Sequence, residues 1–378
     1  MGLCYLDNSA TTAVCKAAAD KAYAMMTETF GNPSSLHTLG IRAETEITAA
    51  REAVADLIGA RADEILFTSG GTEANNLAII GGSTARVRVG KHIVITAVEH
   101  SSSAAAAAAL EQQGYTVTRV MPDADGDITA EQMLAACRDD TVLVSMMLVN
   151  NETGAIFPVG ETAAALAKRF PNARMHCDAV QAVGKLAVNV KRLGVHFLTV
   201  SAHKLHAPKG CGALYIRKGE RVRPLICGGE QEKGVRGGTE AAPLIAAFGA
   251  AIGELPPIPA HAAHMQALCD RLTAALGGVE GIVFHRPKRH LPAIVNFSVV
   301  GYRSETMLHY LASKEIYVSS GSACAKGKPS EVLTAMGLPK READSALRIS
   351  FSRDNTEQDV DRLVDAIHEG MARLAHTR

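Results

Sequence analysis

In SAHKLHAPKG (201–210), Lys204 stands between His203 and His206 and closes the apolar run HFLTVSAH (196–203). Lysines ordinarily sit where their charge stays hydrated, so an amine at the end of a strand-like apolar run points to chemistry. Desolvation lowers a lysine's pKa and leaves a nucleophile able to form a Schiff base with a carbonyl. Other residue types that could work with it recur at the ends of similar runs. Asp178 and Gln181 follow ARMHC (173–177), and His100 follows VITAVE (94–99). TSGGTEANNLAII (68–80) brings glycines and Thr72 to the start of a helical pattern, where backbone N–H groups and the helix dipole favour an anion. Ser201 and His203 add two more donors beside the lysine.

A phosphate cradle, a buried carboxylate, a flat imidazole and a Schiff-base amine are together the parts that bind pyridoxal phosphate. Asp178 would keep the pyridine nitrogen protonated, Gln181 would reach the phenolic oxygen, and His100 would lie on the ring and shuttle protons. A nucleotide-binding loop at 68–80 is the competing reading, but neither G-x-x-x-x-G-K-[ST] nor G-x-G-x-x-G is present.

Such residues need a scaffold that gathers strand ends. From residue 40 to about 255 the pattern alternates between helix and strand, with strand candidates at 64–71, 91–100, 141–154, 173–181, 196–204 and 212–219. That alternation predicts an α/β fold with a mainly parallel sheet covered on both faces, whose ligands bind beyond the carboxyl ends of the strands. Thr72, His100, Asn151, Asp178, Gln181, His203 and Lys204 collect there. The stretch LPPIPAHAAH (255–264), with three prolines, predicts a boundary. Beyond it, helix patterns at 261–277, 304–314 and 356–374 and strand patterns at 282–285, 293–300, 316–324 and 346–352 predict a smaller α+β domain.

Composition narrows the function classes. Lys+Arg and Asp+Glu number 39 each in 378 residues, so no net field would gather nucleic acid or an anionic membrane surface. MGLCYLDNSATT lacks the basic and apolar regions of a secretory signal, and no window approaches the length of a membrane span. The eight cysteines form no C-x-x-C pair and no metal-ligand spacing. A cytoplasmic protein with mostly buried thiols is expected. Cys324 stands apart: SSGSACAKGKPSEVL surrounds it with a Ser/Gly-rich turn and with Lys326 and Lys328, a setting that exposes a thiol and favours the thiolate.

Ten ordered stretches resemble the NifS/IscS-type cysteine desulfurases of the class V aminotransferase group, which are fold-type I pyridoxal-phosphate enzymes. They are YLDNSATT (5–12), GNPSSLHTLG (31–40), SGGTEANNLAI (69–79), EH (99–100), VNNETG (149–154), CDAVQAVGK (177–185), SAHKLHAPKG (201–210), RGGTE (236–240), SSGSAC (319–324) and LRISFSR (347–353). The resemblance implies a seven-stranded, mainly parallel sheet in a large domain (16–255). It implies a small domain (1–15 and 256–378) carrying the cysteine loop. Lys204 would hold the cofactor as a Schiff base, and Gly71, Thr72, Ser201 and His203 would hold its phosphate. Asn151, Asp178 and Gln181 would position the ring under His100. The enzyme would be a homodimer in which Thr239 reaches the neighbouring subunit's phosphate. Arg348 would grip the substrate carboxylate, and a guanidinium fork suits that task. Cys324 would take sulfur from L-cysteine as a persulfide, release alanine, and pass the sulfur to an acceptor for iron–sulfur cluster assembly or tRNA thiolation. A selenocysteine lyase of the same fold and a non-catalytic scaffold are the alternatives; SSGSAC speaks against the first, intact Lys204, Asp178, His100, Cys324 and Arg348 against the second. Two departures stand out. The stretch between Cys324 and a helix expected near Pro329 is short, and ICGGEQEKGVRGG (226–238) carries an extra cysteine, Cys227, expected to serve packing.

Overall fold

The structure is a computed structural model that describes residues 2–320 and 330–376. In chain order its strands are β1 (Cys4–Tyr5), β2 (Ile65–Thr68), β3 (His92–Thr96), β4 (Thr116–Val120), β5 (Thr141–Ser145), β6 (Arg174–Asp178), β7 (Phe197–Ser201), β8 (Gly212–Ile216), β9 (Ile282–Phe284), β10 (Ile294–Val299), β11 (Ile316–Tyr317), β12 (Ser319–Ser320) and β13 (Ala346–Ser350). Seven of them form one sheet in the order β2-β8-β7-β6-β5-β3-β4. Only β8 runs antiparallel to its neighbours β2 and β7; the other pairs are parallel.

The apolar runs explain the layering. Every residue of β3 (HIVIT), β5 (TVLVS) and β7 (FLTVS) is buried, as a central strand covered by helices on both faces requires. The polar residues among them are satisfied within the layer: the His176 imidazole meets Ser145 Oγ at 2.8 Å and Thr199 Oγ1 at 3.1 Å. β4 lies at the edge and was not foreshadowed by the sequence pattern, because Thr116 and Arg119 are exposed and only Val120 is buried. The helix Thr38–Ile58 buries its Ala43/Ile47/Ala50/Val54 stripe and stops at Gly59, whose φ of 67° is the left-handed cap.

β12, β13, β10 and β9 form a second, antiparallel sheet. Helices Ile258–Leu276 and Glu357–Arg373 pack together. The amino-terminal segment is stitched to this half. β1 pairs with β11 in parallel, Leu6 N–H donates to Tyr317 O at 2.8 Å, and Ser350 N–H donates to Leu6 O at 2.7 Å. No single helix among the described residues is long and apolar enough to cross a membrane.

One expectation needs correction. Cys227 is exposed, within a run (223–230) that is exposed throughout, so it is not packed into a core among the described residues. The helix expected near Pro329 is present from Glu331, where Ser330 Oγ accepts the Leu333 N–H at 3.0 Å and so sets the boundary.

Candidate active site

The carboxyl ends of β2, β6 and β7 lie along one edge of the main sheet, since Thr68 and Ser201 both face Gly212 and Asp178 faces Thr199. Asp178 is the last residue of β6 and is buried. One carboxylate oxygen accepts from Asn75 Nδ2 at 2.7 Å and the other from Val180 N–H at 3.0 Å. These two donors fix the carboxyl group in place. Asn75 Nδ2 also donates to Ser102 Oγ at 2.9 Å, and that hydroxyl meets His100 Nδ1 at 2.8 Å. Asp178 and His100 are therefore joined through Asn75 and Ser102.

His100 caps the helix Ser101–Gln112, its Nδ1 taking part in the Ser102 contacts, so Nε2 is the nitrogen left for other partners. Burial pushes the imidazole below its usual pKa; Lys204 adds to that push and Asp178 opposes it. The neutral ring is favoured, and the three groups sense one another.

Lys204 ends a short 3-10 turn (Ala202–Lys204) directly after β7. Its ammonium donates to the carbonyls of Ser9 and, at 2.8 Å, Ala10. Gln181 Nε2 donates to the same Ser9 carbonyl at 2.9 Å. His203 contacts Thr11 Oγ1 at 3.2 Å, and its carbonyl accepts from Thr12 N–H and Oγ1. Residues 9–12 thus form one wall of the site.

Gly70 and Gly71 form the turn expected to cradle an anion. Gly70 holds a φ of 154°, and a Cβ on Gly71 would come within 3.1 Å of Val180 Cγ2 and 3.8 Å of Ser201 Oγ. Gly71, Val180 and Ser201 therefore converge, with the first helical N–H groups of Gly71–Asn76 nearby. Glu73 pins the turn, accepting from Ser69 N–H at 2.8 Å and Arg236 Nε at 3.0 Å. Thr72 and Thr239 are exposed in the single chain.

Arg348, in β13, is 3% exposed. Its guanidinium donates to Asp7 Oδ1 at 2.7 Å and to Asn151 O at 3.0 Å, while Nε has no partner among the described residues. A buried guanidinium with an unsatisfied donor is costly unless something accepts from it. Cys324 lies outside the described residues. The flanks of its segment reach the site: Ser319 pairs with Arg348 across β12 and β13, and Ser330 Oγ donates to Glu152 Oε2 at 2.5 Å. Glu152 neighbours Asn151, and burial pushes its carboxyl up to about 7.

The donor set fits a pyridoxal phosphate. It offers an amine for the carbonyl, a doubly anchored carboxylate for the pyridine nitrogen and a glycine cradle with Ser201 for the phosphate, with His100 beside them. Sequence reasoning missed Asn75, Ser102, Asp7 and the carbonyls of Ser9 and Ala10. Asn75 and Asp7 sit inside quoted stretches, but their partners are about a hundred and several hundred residues away, respectively.

Residues 4–363 match the family model Aminotransferase class-V. A cysteine desulfurase IscS from Methanosarcina thermophila is 40% identical, the alignment covering 98% of this chain and 92% of that one. A solved NifS-like protein superposes with a TM-score of 0.93 at 35% identity, covering 99% of this chain and all of the other. A structure described as SspA in complex with cysteine gives a TM-score of 0.81 at 33% identity, covering 92% of this chain and 98% of that one.

Proposed function

The chain belongs to the class V aminotransferase family, in its cysteine desulfurase group, and we propose that it is a cytoplasmic, pyridoxal-phosphate-dependent enzyme that takes sulfur from L-cysteine and leaves L-alanine. The observation that supports this reading is the gathering of Lys204, Asp178 and His100 at the strand ends, with Asp178 and His100 linked through Asn75 and Ser102 and Lys204 held by the Ser9 and Ala10 carbonyls. Residues 16–255 would form the cofactor-binding half, and 1–15 with 256–378 the half that carries the cysteine.

Lys204 would hold the cofactor through its amine, Asp178 its ring nitrogen, and Gly71, Thr72, Ser201 and His203 its phosphate, with Asn151 and Gln181 beside the ring. When bound, pyridoxal phosphate supplies an electron sink that loosens the bonds at the substrate's α and β carbons. The remaining work falls to the chain. Arg348 binds the substrate carboxylate with the guanidinium donors that Asp7 and Asn151 leave open. Lys204 would carry protons to and from the substrate carbon. His100, whose neutral form burial favours, would hold or move a proton through Nε2. The Cys324 thiolate attacks the substrate sulfur; the carbon–sulfur bond breaks with its electrons on the β carbon, which takes a proton to become alanine's methyl group. The persulfide sulfur then passes to an acceptor thiol or iron–sulfur scaffold.

A homodimer is part of the reading. Tyr23, Met26, Phe30, Leu36 and Ile41 are exposed large apolar residues on or between the first two helices, and Leu225 and Ile226 are exposed beside Cys227. Apolar exposure of that kind marks an interface, and Thr239, exposed here, would face the partner's phosphate. The test is to supply cofactor-loaded protein with L-cysteine and quantify alanine: equimolar alanine and acceptor-bound sulfur are expected, and no alanine would sink the assignment.

A further inference from the structure

Behind Lys204, on the side of the small domain, lies a cavity of about 20 Å³. That is room for a single water-sized occupant, and too little for an amino acid or a phosphate. Its lining is unusual in sign. Lys185, Lys204, His206, His261 and Arg353 all contribute to it, and no carboxylate does. The nearby acid, Asp354, lies 3.6 Å from His206 Nδ1 and 3.8 Å from Arg353 Nε, but it is 65% exposed and does not line the cavity.

Two of the lining groups are buried without adequate partners. Lys185 is 7% exposed, and among the described residues its ammonium has only two long contacts, to Gln181 O at 3.3 Å and to Gln181 Oε1 at 3.4 Å. A buried ammonium without a counter-charge is strongly disfavoured. His261 is also 7% exposed, and its Nδ1 has no hydrogen-bond partner among the described residues. The backbone commits Lys185 to this place: Gly184 holds a φ of 77°, and a Cβ there would come within 2.5 Å of Leu205 Cδ2. The chain thus turns tightly and puts an amine where no acid among the described residues pairs with it.

We propose that this cavity is a binding site for a monovalent anion with one heavy atom, a halide such as chloride, held by the Lys185 ammonium and the His261 Nδ1–H. The neutral Nδ1–H tautomer of His261 suffices as a donor, and Arg353 contributes favourable charge around it. The occupant supplies the missing counter-charge next to Gln181, whose amide donates to the Ser9 carbonyl. The site therefore bears on how firmly that wall of the active site is held. The proposal is independent of which substrate the enzyme uses.

Bromide is the probe. Crystals of the cofactor-loaded protein soaked in sodium bromide and measured at the bromine absorption edge should give an anomalous peak in the cavity, in contact with Lys185 Nζ and His261 Nδ1. In solution, replacing gluconate by bromide at constant ionic strength should raise Tm in a saturable manner, because a ligand that binds only the folded state stabilises it. Lys185→Met and, as a second variant in case the first folds poorly, His261→Leu should each weaken the apparent bromide affinity by at least tenfold. A cavity holding only water while bromide occupies other positions would overturn the proposal, and so would a bromide response of equal size in wild type and both variants.

Discussion

At the scale of single residues, the account makes Lys204 and Arg348 separable. Lys204→Ala removes both the amine that holds the cofactor and the base that moves protons, so alanine production should fall by several orders of magnitude. Some cofactor should remain through the phosphate contacts, read as visible absorbance after gel filtration; turnover at the wild-type rate would move the reactive amine elsewhere. Arg348→Ala should leave cofactor content near wild type and act on substrate. Charge-assisted hydrogen bonds are worth about 1.5–3 kcal/mol, so kcat/KM for L-cysteine should drop by roughly tenfold to a hundredfold, mainly through KM. Arg348→Lys, which keeps the charge and loses the fork, should recover only part of it. Lys204, Asp178 and His100 were legible in the sequence because each ends an apolar run. Asn75 and Asp7 were not: what makes them matter is a partner far along the chain, and no local pattern announces that.

Secondary-structure elements carry a different kind of test. The turn that presents Lys185 depends on Gly184, with φ at 77° and no room for a Cβ beside Leu205. Gly184→Ala should cost about 1–3 kcal/mol, measured as a lower urea midpoint. The pH dependence of stability follows from Lys185 itself. Burial pushes its pKa from 10.5 down to about 8. Between those values the unfolded chain binds a proton that the folded protein has released, so stability rises with pH from about 8 toward 10.5. The full window is worth roughly 3 kcal/mol at 1.36 kcal/mol per pKa unit. The neighbours His206, His261, Lys204 and Arg353 are cations or neutral imidazoles, none of which reverses the sign. The difference in unfolding free energy between wild type and Lys185→Met, measured in gluconate buffer at pH 8 and pH 10, should grow in favour of wild type; a flat difference would contradict this reading. Among the strands, the buried runs β3, β5 and β7 were readable because two-sided burial writes a largely apolar stretch. β4 was not, because an edge strand with exposed Thr116 and Arg119 carries no such mark. The amino-terminal segment, placed by resemblance with the small domain, also forms a wall of the site because its carbonyls meet Lys204.

On the scale of the whole molecule, the division of labour between a sheet that presents an amine and a smaller half that presents an arginine decides what the enzyme can do. β13 brings Arg348 to Asn151 of the large sheet's loop, so in the proposed function the substrate carboxylate and the reactive amine would be held by different halves of the chain. The exposed apolar residues near the first two helices and at 225–226 predict a dimer by analytical ultracentrifugation, and Leu36→Asp with Phe30→Asp should shift it toward monomer and lower cofactor retention. Two thiols compete for the role of sulfur carrier in any reading of this chain, Cys324 by its surrounding stretch and Cys227 by its exposure. The most direct measurement is to give cofactor-loaded protein a single equivalent of L-cysteine without acceptor, quench with an alkylating reagent, and locate the added sulfur by peptide mass spectrometry. The account predicts one extra sulfur on the peptide carrying Cys324, in step with one alanine formed, and none on Cys227; alanine formed with no sulfur on Cys324, or sulfur on Cys227 alone, would contradict it.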